Sequence, residues 1–164
     1  MSTTTFNVMP EAFVLRRFVW QLFVTLTFRR ECAREADRKS MLFAWLRDLS
    51  HSCGIHFKHR LLWFARYESG RSGTGHYHLC VAGLPSQFVQ PEYCRGYESL
   101  WRTKGGGFAQ IELYDPARDG VGYMSKLPRS RFDCAREDRF GNGGDDYLPT
   151  LSDSLIASMR RGPM

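Results

Sequence analysis

Along residues 20–28, WQLFVTLTF, β-branched and aromatic side chains follow one another almost without a break, the composition of a strand buried in the middle of a sheet. Charged residues then dominate until Leu42, Trp45, Leu46, Leu49 and Cys53 recur at helical spacing and Gly54 supplies a stop. A long amphipathic helix is predicted there. Residues 59–69, HRLLWFARYES, read as a second strand and residues 76–84, HYHLCVAGL, as a third. The glycine-rich turn GRSGTG between them predicts a hairpin. Phe88, Val89, Tyr97, Leu100 and Trp101, with Pro91 near the start, predict a second helix over 86–103. In a fourth strand, 108–114, Phe108, Gln110, Glu112 and Tyr114 take one face and Ala109, Ile111 and Leu113 the other. Residues 116–127 read as a short helix with Asp115 as N-cap, Pro116 in its first position and Pro128 closing it. Beyond that point the pattern weakens, and LSDSLIASM, 151–159, is the one further stretch with helical character.

The order β, α, β, β, α, β, α predicts an α+β fold of the ferredoxin-like kind shared by RRM and palm domains. Its central antiparallel sheet is flanked by helices mainly on one face, with the first strand at the centre. The 164 residues, 43% hydrophobic and 14% aromatic, suffice for one domain with a real core. That domain is expected over 1–128, with its motif-bearing core over 20–128 and a partly flexible C-terminal tail over 129–164. No GxxxxGK[ST] occurs, which excludes an NTPase phosphate loop within the chain.

Charge narrows the class of partner. Lys and Arg number 23 against 17 Asp and Glu, a formal net charge of +6, with an isoelectric point near 9.3. Such a balance favours a polyanion, nucleic acid above all. Arg29, Arg30, Lys58, Arg60, Arg66 and Arg71 flank the strands and are candidates for phosphate contacts. Trp63, Phe64, Tyr77 and Trp101 are either core residues or stacking platforms for unpaired bases. The five cysteines form no CxxC pair, so neither a zinc ribbon nor a disulfide framework is expected. The N-terminus lacks the apolar run of a signal peptide, and no window reaches the roughly 18 apolar residues of a membrane span. A soluble, cytoplasmic protein with no membrane partner is expected.

Candidate chemistry converges on the hairpin. His76 and His78 point the same way from an extended strand, their Cβ atoms roughly 7 Å apart, a span that one cation can bridge. If the glycine-rich loop reverses the chain, Glu68 lies beside His76 on the neighbouring strand. Two imidazoles and a carboxylate suit Mg²⁺, Mn²⁺ or Zn²⁺ with positions left open for water and substrate. Taken singly, each of these residues reads equally well as a solvated polar side chain. Further on, Tyr123 and Lys126 share a helix face at i, i+3: a phenol oxygen able to act as nucleophile beside a cation able to neutralise phosphate. Asp119, one turn before Tyr123, is a helix cap or a water-mediated base for it.

Together these stretches resemble the HUH endonucleases, and among them the rolling-circle replication initiators (Rep) that use a single tyrosine. FVTLTF is similar to their first motif, GHYHLCVAG to the second with its His-hydrophobic-His core, and GYMSK to the third, while RYESG stands where these proteins keep a carboxylate ligand. The resemblance implies that Glu68, His76 and His78 hold Mg²⁺ or Mn²⁺, with Zn²⁺ less favoured in the cell, that Tyr123 is the nucleophile and that Lys126 is an electrostatic or positioning group. It further implies nicking and joining of single-stranded DNA or an origin hairpin through a covalent 5′-phosphotyrosine, at the start of rolling-circle replication of a plasmid or other mobile element in a prokaryotic cell. Many such proteins carry a helicase, and none is legible after residue 128, so a separate helicase is the expected partner. A single-tyrosine transposase or other mobile-element recombinase would use the same chemistry. A nonenzymatic DNA-binding module is the alternative of another class, and the joint presence of Glu68, His76, His78, Tyr123 and Lys126 argues against it.

Overall fold

The structure, a computed structural model, describes residues 12, 15–30, 34–68, 74–125 and 137–141. The elements are β1 (Leu22–Phe28), α1 (Glu35–Ser52), α2 (Phe57–Arg60), β2 (Leu62–Glu68), β3 (His76–Ala82), α3 (Pro91–Thr103), β4 (Gly106–Leu113), α4 (Gly120–Met124) and β5 (Glu137–Gly141), with 3₁₀ turns at Ser86–Phe88 and Pro116–Arg118. The sheet runs β4-β1-β3-β2-β5, and every neighbouring pair is antiparallel. Strands β1 to β4 with α1 and α3 as crossovers form the ferredoxin-like arrangement that the sequence pattern predicts.

Alternation along the strands divides the sheet into two faces. On one, Leu22, Val24, Leu26 and Phe28 of β1, Trp63 of β2 and Leu79 of β3 are buried against Leu42, Trp45, Leu46 and Leu49 of α1 and Tyr97 and Trp101 of α3. The buried indoles are satisfied: Trp45 Nε1 donates to the Tyr97 carbonyl at 2.9 Å and Trp101 Nε1 to the Thr27 carbonyl at 2.7 Å. These two bonds tie both helices to each other and to β1. Trp63, Phe64, Tyr77 and Trp101 are all buried, so they pack the protein and do not serve as base-stacking platforms.

The second face is only partly covered. Leu15 and Trp20 from the segment before β1 and Val121 and Met124 from α4 close over Phe64, Cys80 and Ala82. Towards the other end of β2 and β3 the face stays open, and there Glu68, His76 and His78 lie. Cys53, Cys80 and Cys94 are buried free thiols. Burial pushes Cys80 far above the ordinary thiol range, with the Asp119 charge adding to it. Among the described residues no helix is long and apolar enough to cross a membrane.

Three elements differ from the sequence expectation. The second strand begins at Leu62 and not at residue 59, because Phe57–Arg60 curl into α2. That turn brings Phe57 and Leu61 to one side, where Phe57 packs edge-on to Phe43 and Leu61 is fully buried. The single helix expected over 116–127 is split at Asp119, the one non-glycine residue with positive φ among those described (φ 45°, ψ 56°). Close packing of Gly120 on the sheet goes with the break, since a Cβ there would come within 2.7 Å of the Phe23 ring. No strand is expected beyond residue 128, yet β5 adds a fifth strand to the edge formed by β2. The segment 151–159, expected as a helix, lies outside the described residues.

Candidate functional site

The β2–β3 ladder sets Glu68 opposite His76 and Arg66 opposite His78. All four side chains therefore stand on the open face. Glu68 Oε2 is 3.3 Å from His76 Nε2 and 3.8 Å from His78 Nε2, and one ligand atom from each residue lies within 4.8 Å of the others. Ligand atoms around one cation with bonds near 2.1 Å sit roughly 3.0–3.4 Å apart in adjacent octahedral or tetrahedral positions, so the trio needs only a small contraction to close on an ion.

Neighbouring groups prepare each ligand. Thr25, opposite His78 in the β1–β3 ladder, places Oγ1 3.0 Å from His78 Nδ1 and leaves Nε2 turned to Glu68. Phe23 stacks on the His78 ring at 5.7 Å. Burial depresses the pKa of His78, as do the His76 and Arg66 charges, and against the pull of Glu68 it falls to about 4. His78 is therefore neutral near pH 7, with a lone pair available to a metal. For Glu68, burial pushes the pKa up, but the hydrogen bond from His76 and the charges of Arg66, His78 and His76 hold it at about 2. The carboxylate is ionised. An ionised oxygen and a neutral imidazole, held at ligand spacing on a partly open face, fit a divalent cation.

Arg66 is a functional candidate of a kind that the sequence did not single out. It is buried, its Nε pairs with Glu68 Oε1 at 3.2 Å, and its Nη1 donates to the Tyr123 carbonyl at 3.1 Å. It is thus committed inside the protein and is not a surface phosphate contact. Strand alternation already places Arg66 on the face of Glu68; its link to Tyr123 depends on a contact 57 residues away. Arg71 lies outside the described residues.

Tyr123 projects from α4 over this cluster, its side chain partly exposed. Its hydroxyl donates to Glu68 Oε2 across 3.4 Å, and its ring meets His78 edge-on with centroids 5.3 Å apart. Asp119 fixes the start of the helix: Oδ1 accepts from the Gly122 N–H at 3.0 Å while both oxygens receive the Arg16 guanidinium, at 3.0 and 2.6 Å. Asp119 is therefore occupied as a cap and ion-pair partner, which leaves the water-mediated base without support. Glu68, His76, His78 and Tyr123 are thus brought together as the sequence pattern anticipates. Lys126 lies outside the described residues.

A family model described as a replication-associated protein of the ORF2 type matches residues 21–128. No curated protein and no solved structure gives a match. The matched stretch runs from the residue before β1 past α4 and takes in Thr25, Arg66, Glu68, both histidines and Tyr123. It spans well over half of the 164 residues, and the chain belongs to this family of replication-associated proteins.

Proposed function

We propose that this protein starts DNA replication by nicking a single strand at an origin, as a metal-dependent endonuclease and strand transferase of the HUH type working through a covalent 5′-phosphotyrosine on Tyr123. One observation carries the proposal. Glu68 Oε2, the oxygen shared between His76 and His78, is also the oxygen met by the Tyr123 hydroxyl. A nucleophile and a cation site therefore adjoin at a single atom on an open sheet face.

Glu68, His76 and His78 would hold the metal, Mg²⁺ or Mn²⁺ in preference to Zn²⁺, which when bound supplies a Lewis acid for the scissile phosphate. Tyr123 Oη attacks phosphorus, forming the O–P bond to the 5′ side as the bond to the 3′ oxygen breaks. The phenol proton is lost and the departing 3′ oxygen gains one, which leaves a 3′-OH. One phosphodiester replaces another, so a 3′-OH can reverse the step and join strands without ATP. Arg66 holds Tyr123 through its carbonyl, and α4 holds the phenol at the cluster. Lys126 is assigned the task of offsetting charge on the phosphate. The substrate is single-stranded DNA or an origin hairpin, with a separate helicase opening the duplex in the cytoplasm of a prokaryotic cell.

The test uses DNA labelled on the 3′ side of the cut and incubated with Mn²⁺. A protein-linked band on a denaturing gel, mapped to Tyr123 and absent from Tyr123→Phe, is the expected result, with single strands cut and blunt duplex spared. An adduct on another tyrosine, or cutting with no adduct, would overturn the assignment.

A further inference from the structure

A cleft of about 260 Å³ opens on the side of Tyr123 and His78 away from Arg66, between the outer strand β4 and the turn leading into α4. Phe23 and Leu113 give it apolar walls, and Glu112 and Arg118 give it a charged rim. Its volume falls below the roughly 300 Å³ at which pockets for drug-sized ligands begin, so it suits something as small as a single base. Tyr123 and His78 belong to its lining, so its occupant would touch the proposed nucleophile.

The rim carries adjacent groups of opposite hydrogen-bonding sense. Arg118 Nη1 donates to Glu112 Oε2 at 3.0 Å, and Gln110 Nε2 donates to Glu112 Oε1 at 3.1 Å. Both members of the ion pair are well exposed, with 71% of the Arg118 and 38% of the Glu112 side chain open to solvent. Such a pair contributes at most about 1 kcal/mol to stability, so opening it to receive a ligand costs little. A carboxylate beside a guanidinium offers an acceptor next to a donor. Adenine and cytosine present the complement, an exocyclic amino group next to a ring nitrogen acceptor. Thymine flanks its single ring N–H with carbonyl oxygens and sets an acceptor against the carboxylate.

We propose that this cleft is a subsite for one unpaired adenine or cytosine next to the cut, packed against Phe23 and read by Glu112 together with Arg118. The proposal rests on the nicking function argued above and adds to it a determinant of where the strand is cut.

Two measurements test it, one of them independent of cutting. Deoxynucleoside monophosphates are titrated into ¹⁵N-labelled protein. Shifts at the amides of Glu112, Leu113 and Arg118 are expected for dAMP and dCMP at concentrations about 10-fold lower than for dTMP, the low end of what one wrong base costs. Glu112→Ala, at an exposed position of an outer strand, should erase the difference. In the second measurement, a random single-stranded library is cut in Mn²⁺ and the ends are sequenced; a preference for A or C at one position beside the cut should vanish in Glu112→Ala. An equal response to dAMP, dCMP and dTMP, or a base preference unchanged in the variant, would overturn the subsite. If the wild type neither cuts nor forms an adduct, the nicking function fails and the titration alone decides whether the cleft takes a base.

Discussion

Arg66 and Glu68 stand two residues apart on the same face of β2 with Nε and Oε1 3.2 Å apart, and the same guanidinium holds the Tyr123 carbonyl at 3.1 Å. One buried cation thus links the proposed metal ligand to the proposed nucleophile. Arg66→Met removes a charge that repels a cation at Glu68, so Mn²⁺ affinity measured by calorimetry should rise. Nicking should nevertheless fall, because α4 loses its tie to the sheet. Breaking a buried pair costs about 3–5 kcal/mol, so the melting temperature should drop as well. Arg66→Lys should restore part of the stability and little of the activity, since a single ammonium does not reproduce the fork. Equal losses of metal affinity and activity in both variants would argue against this link.

His76 and His78 are both needed if one ion sits between them and Glu68. His76→Ala and His78→Ala should each weaken Mn²⁺ binding by at least about 10-fold. Chelation should reduce the wild type to the level of these variants, while far-UV circular dichroism stays unchanged. Cleavage at full rate in excess chelator would remove the metal from the chemistry.

Asp119 separates capping from catalysis. Asp119→Asn keeps an oxygen for the Gly122 N–H and a residue type that tolerates positive φ. It loses only the exposed charge pair with Arg16, worth at most about 1 kcal/mol. Nicking should survive it almost intact. Asp119→Ala lacks the cap and is strained at φ 45°, a cost of about 1–2 kcal/mol, and should both destabilise and slow the protein. Loss of activity in Asp119→Asn with stability unchanged would revive the carboxylate as a base.

Acid should weaken the metal-free protein in two steps. His78 has a folded pKa near 4 against 6.5 unfolded, so the unfolded chain binds more protons between those values and stability falls as pH drops through that window. Glu68, near 2 folded against 4.5 unfolded, continues the fall below pH 4.5. The His78 contribution is on the order of 3 kcal/mol. Urea unfolding of chelated protein at pH 7.5, 5.5 and 4.5 should show it, and His78→Gln should flatten the curve above pH 4.5. An unchanged slope in that variant would place the titration elsewhere.

The ligand trio was legible because local rules suffice for it. Alternation puts His76 and His78 on one face, and a short loop returns the chain so that Glu68 meets His76. Tyr123 was legible from its company in order along the chain. Thr25 was not, since its contact with His78 depends on the β1–β3 register, a pairing between residues 53 apart. The Arg16–Asp119 clamp spans 103 residues and leaves no periodic trace. Strand β5, EDRFG, shows no alternation of apolar and polar residues; it joins the sheet through backbone hydrogen bonds, which composition does not reveal. The split of the helix at Asp119 was hidden because Asp-Pro-Ala-Arg-Asp-Gly reads as a capped helix start at Asp115 and equally well at Asp119.

The place of β5 has a temporal consequence. It is late in the chain, yet its partner is β2, with Glu137 opposite Glu68. On the ribosome the other four strands are available to pair once Leu113 has been made, while the outer rim of the ligand-bearing strand waits for 28 more residues, to Gly141. At roughly 5–20 residues per second that wait lasts about 1–6 s. During it the newborn sheet offers unpaired amides and carbonyls to any neighbouring nascent chain. Synthesis of this protein therefore passes through an interval in which the strand bearing Glu68 is also the one most open to pairing with the wrong chain.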